Sequence, residues 1–406
     1  MNYNTHTLPN GLRIIHAPRK AAVAYCGFAI DAGTRDEKEQ EQGMAHFVEH
    51  LLFKGTKRRR SWHIVNRMEH VGGDLNAYTN KEETVVYSAF LVEHFPRAVD
   101  LLADIVFHST FPQQEIDKEV EVIIDEIQSY EDSPSELIFD DFEELIFPHH
   151  PLGRKILGKP ELLHGFRSRD ALQFTSRFYR PDNMIFFVFG DLDFKRVVRL
   201  VEKAVNDIPS SEHTYQRTSP LPYQPQTLRL QRDTHQAHVM IGRRGYDAHN
   251  EKRTALYLLN NLLGGPGMNS RLNVALRERS GLVYNVEANL TSYTDTGLFC
   301  IYFGTDPKHV ERCMQLVHKE LKCLREHPLS STQFSAAQKQ IIGQIGVACD
   351  NSENYALDMA KTFLHYDKFE GPEGVFRRIE ALTAHDLWEV ANEMLDEDSL
   401  STLTYL

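Results

Sequence analysis

The hydrophobic pattern of this 406-residue chain runs through a similar series twice. Short runs rich in β-branched and aromatic residues alternate with longer segments whose hydrophobic residues recur at helical spacing. In the first half the strand pair LRIIHAPRKAAVAYCGFAI precedes the helical segment EQGMAHFVEHLLFKG. In the second half LRLQRDTHQAHVMIGRRG precedes NEKRTALYLLNNLLGG in the same way. The pattern predicts an α+β fold of two structurally related α/β-sandwich domains, produced by internal duplication.

A segment rich in proline, serine, glutamine and threonine separates the two series and predicts a linker at residues 210–226. We therefore expect an N-terminal domain at residues 1–209 and a C-terminal domain at residues 227–406. The length supports this division, because 406 residues are too many for one ordinary hydrophobic core.

The two series differ in the polar residues of one helix. Aligning HFVEHLLFKG with YLLNNLLGGP sets His46, Glu49 and His50 opposite Tyr257, Asn260 and Asn261. The leucines are kept, whereas the side chains able to bind a metal are found only in the first segment. If those side chains served helix packing alone, the second segment should carry a similar set. The difference indicates that the first half has been specialised.

His46, Glu49 and His50 fall on one face of the predicted helix, because positions i, i+3 and i+4 lie within about one turn. Two imidazoles at i and i+4 can reach one metal ion, and the glutamate between them can take a proton from a metal-bound water. The alternative is an ordinary polar helix surface. A catalytic zinc also needs a third protein ligand, which this motif does not contain.

A candidate third ligand lies in FPQQEIDKEVEVIIDEIQSYEDSPSE. Its hydrophobic residues recur at helical spacing, at Ile116, Val120, Ile123 and Ile127. Glu119 and Glu126 lie seven residues apart on the same side of this helix. A glutamate-rich helix can also simply present a solvated face, and spacing alone does not select one carboxylate.

Composition narrows the function classes. The chain has 45 basic and 57 acidic residues, a formal charge of −12, which argues against a general nucleic-acid binder. Its five cysteines include no CxxC spacing, so we expect neither disulfides nor a thiolate metal site. No hydrophobic run approaches the roughly 20 residues that cross a bilayer, and the N-terminus has no secretory pattern. We therefore expect a cytoplasmic protein that does not associate with membranes.

The spacing of these motifs resembles that of the M16 metallopeptidases, which carry an inverted zinc motif, HxxEH. HFVEH is followed 76 residues after its second histidine by Glu126. Further similar stretches are GGDLNAYTNKEETVVY, DKEVEVIIDEIQ, HPLGRKILG and SRLNVALRERSGLVYNVEANLTSYTDTGLF. The similarity extends over nearly the whole chain and fits the short, two-domain members. It implies a zinc-dependent endopeptidase that cleaves peptides or short unfolded segments.

The resemblance also implies roles for individual residues. His46, His50 and Glu126 would hold one Zn²⁺ per chain, and Glu49 would act as the general base towards a zinc-bound water. Glu119 would support the site. Since seven residues span about 10 Å along a helix, Glu119 and Glu126 are not expected to share one coordination shell. Glu119 can instead orient a ligand histidine.

Four further residues gain a role only from the resemblance. Arg277 and Tyr284 match the family's arginine–tyrosine pair near the substrate, where a cation and a phenol can hold the peptide carbonyl and the developing oxyanion. Asn76 and Ala77 match an edge strand that pairs with the substrate backbone. Considered alone, Arg277 is an exposed helix residue, Tyr284 a strand residue, and the LNAYT stretch a strand entering a turn.

The family's shape implies an assembly. In it, the zinc residues and the arginine–tyrosine pair belong to opposite halves of a clamshell that encloses a chamber. This chain would form half of such a clamshell and carries both sets, which favours a homodimer whose sites are completed across the interface. Two other functions stay open: a non-catalytic peptide-binding or scaffold subunit, and a metal hydrolase acting on bonds other than peptides.

Overall fold

The computed structural model describes residues 3–211, 216–232 and 234–406. The chain forms two compact units from discontinuous stretches. The first consists of Met1–Gln128, Arg154–Arg217 and Ala348–Gly371, and the second of Ser129–Gly153, Thr218–Val347 and Pro372–Leu406. Of the predicted linker, residues 212–215 lie outside the described residues. Two segments do not follow the linear division at residues 210–226: 129–153 belongs to the second unit and 348–371 to the first.

The first unit contains a six-stranded sheet. Its strands are β1 (Asn4–Thr7), β2 (Arg13–Ala17), β3 (Val23–Ile30), β4 (Asp74–Thr79), β5 (Thr84–Leu91) and β6 (Met184–Phe189), in the order β1-β2-β6-β3-β5-β4. Strands β2 and β6 are parallel, and the other neighbours are antiparallel. Strand β4 therefore forms one edge of the sheet.

The second unit contains a five-stranded sheet of the same design. Its strands are β7 (Thr227–Leu230), β8 (Ala237–Gly245), β9 (Val283–Ser292), β10 (Gly297–Thr305) and β11 (Ser401–Tyr405), in the order β7-β11-β8-β10-β9. Only β7 and β11 are parallel. Without β1, the first sheet has this same order and these same directions, with β4 in the place of β9. The predicted α+β class and the relation between the two sheets are confirmed.

Helices follow the strands of each sheet. They are α1 (Met44–Leu51), α2 (Ser61–Glu69), α3 (Phe95–Phe107), α4 (Gln113–Glu131), α5 (Pro134–Ile146), α6 (Pro160–Leu163), α7 (Ser168–Phe178), α8 (Phe194–Ala204), α9 (Arg253–Gly264), α10 (Val310–Glu326), α11 (Ser331–Ala348), α12 (Ser352–Tyr366), α13 (Gly371–Ala381) and α14 (Ala384–Met394). Residues Asn273–Glu278 form a π-helical turn. Among the described residues, no helix combines the length and hydrophobicity needed to cross a membrane.

Both faces of the first sheet are covered. On one face a large hydrophobic core includes residues of α1, α3, α4 and α7, with Phe47 and Ile123 fully buried. On the other face α12 packs through Tyr355, Met359 and Phe363. Thus a helix from the second half of the sequence completes the first unit.

The second sheet is covered in the same manner. Helices α9, α10 and α14 contribute to the core on one face. Helix α5, which comes from the first half of the sequence, lies on the other face through Ile138, Phe142 and Ile146. Each half of the chain therefore supplies one helix to the sheet of the other half.

Strand β4 shows the alternation expected for a strand between two layers. Leu75 and Ala77 pack against the core that contains α1. Tyr78 packs against the cluster that contains α12. The same strand therefore contacts the helix that carries HFVEH on one face and helix α12 on the other.

Candidate metal centre

Helix α1 carries the HFVEH motif, and its N-terminus is fixed by a residue seven positions before the first turn. The side-chain oxygens of Glu37, which is buried, accept hydrogen bonds from the amides of Gly43 (3.0 Å) and Ala45 (2.8 Å). The first amides of a helix have no hydrogen-bond partner within the helix. The bonds to Glu37 therefore satisfy N–H groups that would otherwise be buried without a partner. Glu37 thereby holds the start of the helix in place.

A close contact between two glycines sets the same end of the helix. Gly43 has φ +95° and Gly158 has φ +79°, conformations that favour glycine. A Cβ on Gly158 would lie 2.5 Å from the Cα of Gly43, so a side chain at residue 158 would push the helix away. The HPLGRKILG stretch thus ends where α1 begins.

Three side chains converge at one place in the first unit. Single donor atoms of His46, His50 and Glu126 all lie within 4.8 Å of one another. The Nε2 atoms of His46 and His50 are 3.8 Å and 4.0 Å from Oε2 of Glu126. Two donors on one tetrahedral zinc ion, each about 2.0–2.1 Å from it, are roughly 3.4 Å apart. The two histidine–carboxylate distances exceed this separation by about half an ångström, so a small inward movement of the side chains would let them hold a zinc ion.

The ring of His50 lies between two carboxylates of helix α4. Its Nδ1 is 2.9 Å from Oε1 of Glu119, while its Nε2 faces Glu126. Because a carboxylate only accepts hydrogen bonds, Nδ1 carries the hydrogen and Nε2 presents its lone pair to the cluster. Glu119 therefore orients His50 and is not among the three converging donors, as expected from the spacing on the helix.

Lys54 completes this arrangement from the turn after α1. Its Nζ is 2.6 Å from the second oxygen of Glu119. Burial alone would raise the pKa of Glu119, but the hydrogen bonds from His50 and Lys54 outweigh burial and lower it. The ammonium group therefore keeps Glu119 in the anionic form that accepts the His50 hydrogen.

The pKa values of the two histidines are shifted in opposite directions. Burial, with a smaller contribution from His50, lowers the pKa of His46 to about 4. The ring is thus neutral near pH 7, which is the form that binds a metal. For His50, burial lowers the pKa but the hydrogen bond to Glu119 and nearby carboxylate charges outweigh it and raise it. A metal ion binding at Nε2 of His50 would compete with a proton for that atom.

Glu49 lies beside the three donors and has one oxygen without a hydrogen-bond partner among the described residues. Its side chain is buried and hydrogen-bonded to the hydroxyl of Thr79, at the end of strand β4. Burial raises the pKa of Glu49, whereas the Thr79 bond opposes that rise. The free oxygen can take or give a proton, and a bound cation would favour the anionic form.

The predicted substrate-binding residues Asn76 and Ala77 lie in β4, in register with Tyr87 and Val86 of β5. Because β4 is the edge of its sheet and ends at Thr79, an unpaired strand edge lies next to Glu49. The side chain of Asn76 is turned away from α1 and bonds to Tyr87. Only the backbone at Asn76 is therefore suited to pair with a substrate strand.

Arg277 and Tyr284 come together in the second unit. Arg277 belongs to the π-helical turn at Asn273–Glu278, and its guanidinium carbon is 5.8 Å from the centre of the Tyr284 ring. Tyr284 is 81% exposed, which is unusual for a tyrosine in a strand. Both groups therefore face solvent and are accessible to a ligand.

Two residues of the centre, Lys54 and Thr79, were not found from the sequence. Thr79 could have been found, because it alternates with Leu75 and Ala77 on the helix side of β4. Lys54 follows His50 by four residues, but α1 ends at Leu51, so helical spacing does not apply to it. Its partner, Glu119, lies on α4, so the contact depends on how α4 packs against α1, which the sequence pattern does not give.

We expect Lys54→Met to weaken metal binding by roughly tenfold, since removing an outer partner of a ligand typically costs 10–100-fold. Without the Lys54 ammonium group, the carboxylate of Glu119 would be protonated more readily. A protonated Glu119 would hold the ring of His50 less firmly. Competition titration with a chromogenic chelator measures the affinity. Lys57→Met, at an exposed position three residues on, is the matched control. Equal affinities for Lys54→Met and Lys57→Met would show that Lys54 does not support the centre.

The sequence matches two family descriptions and several curated proteins. Residues 13–160 match "Insulinase (Peptidase family M16)", and residues 166–341 match "Peptidase M16 inactive domain". A Bacillus subtilis protein named "Uncharacterized zinc protease YmxG" is 30% identical over 395 residues, covering 97% of this chain and 96% of the relative. A Rickettsia bellii protein named "Uncharacterized zinc protease" is 31% identical over 404 residues, covering 99% and 97%.

Solved structures agree on the fold. A protease from Helicobacter pylori gives a TM-score of 0.92 at 22% identity, covering 100% of this chain and 99% of that one. A Pseudomonas fluorescens structure described as a peptidase M16 inactive domain gives 0.93 at 18% identity, covering 100% and 98%. The sequence relatives span nearly the whole chain, and both halves match the two parts of one family. The protein therefore belongs to peptidase family M16.

Proposed function

We propose that this protein is a zinc-dependent endopeptidase that hydrolyses peptides or short unfolded segments. The observation that carries the proposal is the convergence of His46, His50 and Glu126 beside Glu49, which has a free oxygen. The donor set supports zinc, because two imidazoles and one carboxylate are typical of catalytic zinc sites that leave a position open. The names of the Bacillus and Rickettsia relatives give further support.

Each residue of the centre has a separate role in the proposed hydrolysis. When bound, zinc activates a water molecule and polarises the peptide carbonyl. Glu49 accepts the proton of the attacking water and returns it to the leaving amine, while Thr79 holds its other oxygen. Glu119 and Lys54 keep His50 in the tautomer that binds the metal. No side chain needs to form a covalent intermediate.

The substrate is bound as an extended strand in this proposal. The backbone of β4 at Asn76 and Ala77 adds a peptide strand to the sheet edge, next to Glu49. Main-chain hydrogen bonds give affinity with little dependence on side chains, so we expect broad sequence preference. Folded proteins would be poor substrates, because their backbone groups are already paired.

Arg277 and Tyr284 are assigned to the substrate in the same proposal. Their exposure and mutual contact suit a cation and a phenol that hold a peptide carbonyl. We further propose that the working enzyme is a homodimer in which each zinc centre meets the pair of the partner subunit. A fully active enzyme with the solution mass of a single chain would exclude this assembly.

Digestion of a diverse peptide library, read by mass spectrometry, tests the activity. We expect cleavage at internal bonds, complete loss of cleavage with a strong chelator, and recovery when Zn²⁺ is restored. Cleavage that resists metal removal would rule out the metal mechanism. Stoichiometric metal binding without cleavage of any peptide would favour the non-catalytic peptide-binding or scaffold subunit instead.

A further inference from the structure

Strand β4 has two faces, and each one is held by a different layer of the first unit. On the inner face Leu75 and Ala77 rest on the core below α1, and Thr79 bonds to Glu49. On the outer face Asn76 and Tyr78 point towards helix α12. Only β5 pairs with β4 among the described residues, so side-chain contacts must hold its free edge in place.

A short chain of hydrogen bonds joins the outer face of β4 to α12. Asn76 and Tyr87 are directly opposite on β4 and β5, and the Asn76 side chain bonds to the Tyr87 hydroxyl. That hydroxyl donates to Oε1 of Glu353 at 2.6 Å. Tyr87, in the middle of this chain of bonds, is buried, whereas Glu353 is half-buried and Asn76 is exposed.

Several contacts hold helix α12 in position against the first sheet. The side chain of Asn351 caps its first turn through the amides of Glu353 and Asn354. The ring of Tyr355 lies 4.9 Å from that of Phe189 on β6. A second link joins the helix to the turn between β4 and β5, where Lys361 is 2.7 Å from Glu83. Glu353 is thus fixed relative to the sheet.

We propose that Tyr87 and Glu353 are positioning residues that set the edge strand β4 from the face opposite the metal centre, and so determine how tightly an extended peptide is held. This inference rests on the proposed peptidase function, in which β4 pairs with the substrate. Neither residue touches the reacting atoms. Their effect on the reaction passes through the backbone at Asn76 and Ala77.

The proposal separates substrate binding from chemistry. Metal ligands and the general base are on α1 and α4, whereas Tyr87 and Glu353 act on the other face of the sheet. Loss of the Tyr87 hydroxyl frees the Asn76 side chain and loosens β4 at that residue, while the bond between Thr79 and Glu49 at the end of the strand is kept. We therefore expect KM to change while kcat and metal affinity do not.

Tyr87→Phe tests this directly. We expect KM for a library-derived peptide to rise roughly fivefold, the loss typical of one hydrogen bond, with kcat and zinc affinity within about twofold of the parent. Amide hydrogen exchange along β4 should become faster. Glu353→Ala should reproduce these changes, and Glu353→Gln, which keeps an accepting oxygen, should restore most of the parent KM.

Tyr25→Phe is the matched control. Tyr25 lies on β3 against the same α12 cluster, and its hydroxyl forms no hydrogen bond within the described part of the chain. It should leave KM and β4 exchange unchanged. An unchanged KM in both Tyr87→Phe and Glu353→Ala would overturn the proposal, as would a loss of zinc affinity in either variant.

The exchange measurement distinguishes this proposal from the peptidase function itself. If the parent cleaves no peptide, the proposed function fails, but β4 exchange in Tyr87→Phe still reports whether the strand is held from α12. Faster exchange would then support the positioning role for a bound strand. Exchange equal to that of the Tyr25→Phe control would overturn it.

Discussion

Glu49→Gln should retain the metal and lose hydrolysis, with kcat falling by roughly 10²–10⁴-fold, the usual contribution of a general base. The amide keeps the shape of the carboxyl group and can still accept the bond from Thr79. It cannot take a proton from water. Because His46, His50 and Glu126 are untouched, the metal content per chain should equal that of the parent. Peptide cleavage kinetics and metal analysis on the same sample measure both quantities.

A suitable control for Glu49→Gln is Glu69→Gln, the same substitution at an exposed position at the end of α2. It should leave both activity and metal content unchanged. Parent-like cleavage by Glu49→Gln would mean that another group accepts the proton. Loss of metal together with activity would instead make Glu49 a support of the metal centre.

The helix that carries Glu49 was predictable because its pattern is local. The i, i+3, i+4 spacing of His46, Glu49 and His50 depends only on helical geometry, and the structure brings all three to one face of α1. The duplicated strand pattern was predictable for the same reason. Hydrophobic periodicity fixed the order of elements, and the two sheets share one topology.

The choice of Glu126 was not predictable from spacing. Glu119 and Glu126 occupy the same side of α4, and periodicity treats them alike. They differ because they meet opposite nitrogens of the His50 ring, Nδ1 for Glu119 and Nε2 for Glu126. That distinction depends on how α1 and α4 cross, which is a property of the tertiary structure. The family resemblance supplied it instead.

The exchange of α5 and α12 was also beyond the sequence pattern. The hydrophobic pattern of an amphipathic helix predicts which of its faces is buried, but not which sheet covers that face. Both helices have ordinary hydrophobic stripes, and their partners are more than 80 residues away: Tyr293 and Tyr302 for α5, Ile185 and Phe189 for α12. The predicted linear boundary therefore missed these two segments.

Comparison of the duplicated helices shows how the first unit differs at its candidate metal centre, which is the cluster of converging donors found among the described residues. In the second unit α9 has Asn260 where α1 has Glu49, and its Nδ2 donates to the carbonyl of Ala288 on β9 at 2.9 Å. In the first unit Glu49 makes the corresponding link to β4 through Thr79. Both residues thus join a helix to the edge strand beside it. Only Glu49 adds a group that can carry a proton.

Replacing Glu126 with glutamine should remove the metal. The neutral amide oxygen is a much weaker ligand than a carboxylate, and two neutral imidazoles alone leave the cation without a compensating charge. We expect the affinity for zinc to fall by more than the roughly 10–100-fold that loss of an outer partner costs, and peptide cleavage to be abolished at ordinary zinc concentrations. Chelator competition and cleavage assays measure the two effects.

Two other glutamates on the same helix make this prediction quantitative. Glu119→Gln removes the charge behind His50 and should weaken zinc binding by roughly 10–100-fold, less than Glu126→Gln. Glu121→Gln changes an exposed residue between them and should have no effect. The expected order of affinities separates a ligand, a partner of a ligand and a solvated side chain on one helix. If Glu126→Gln bound zinc as tightly as Glu121→Gln does, the three converging side chains would not be the metal centre, and the peptidase mechanism built on them would fail.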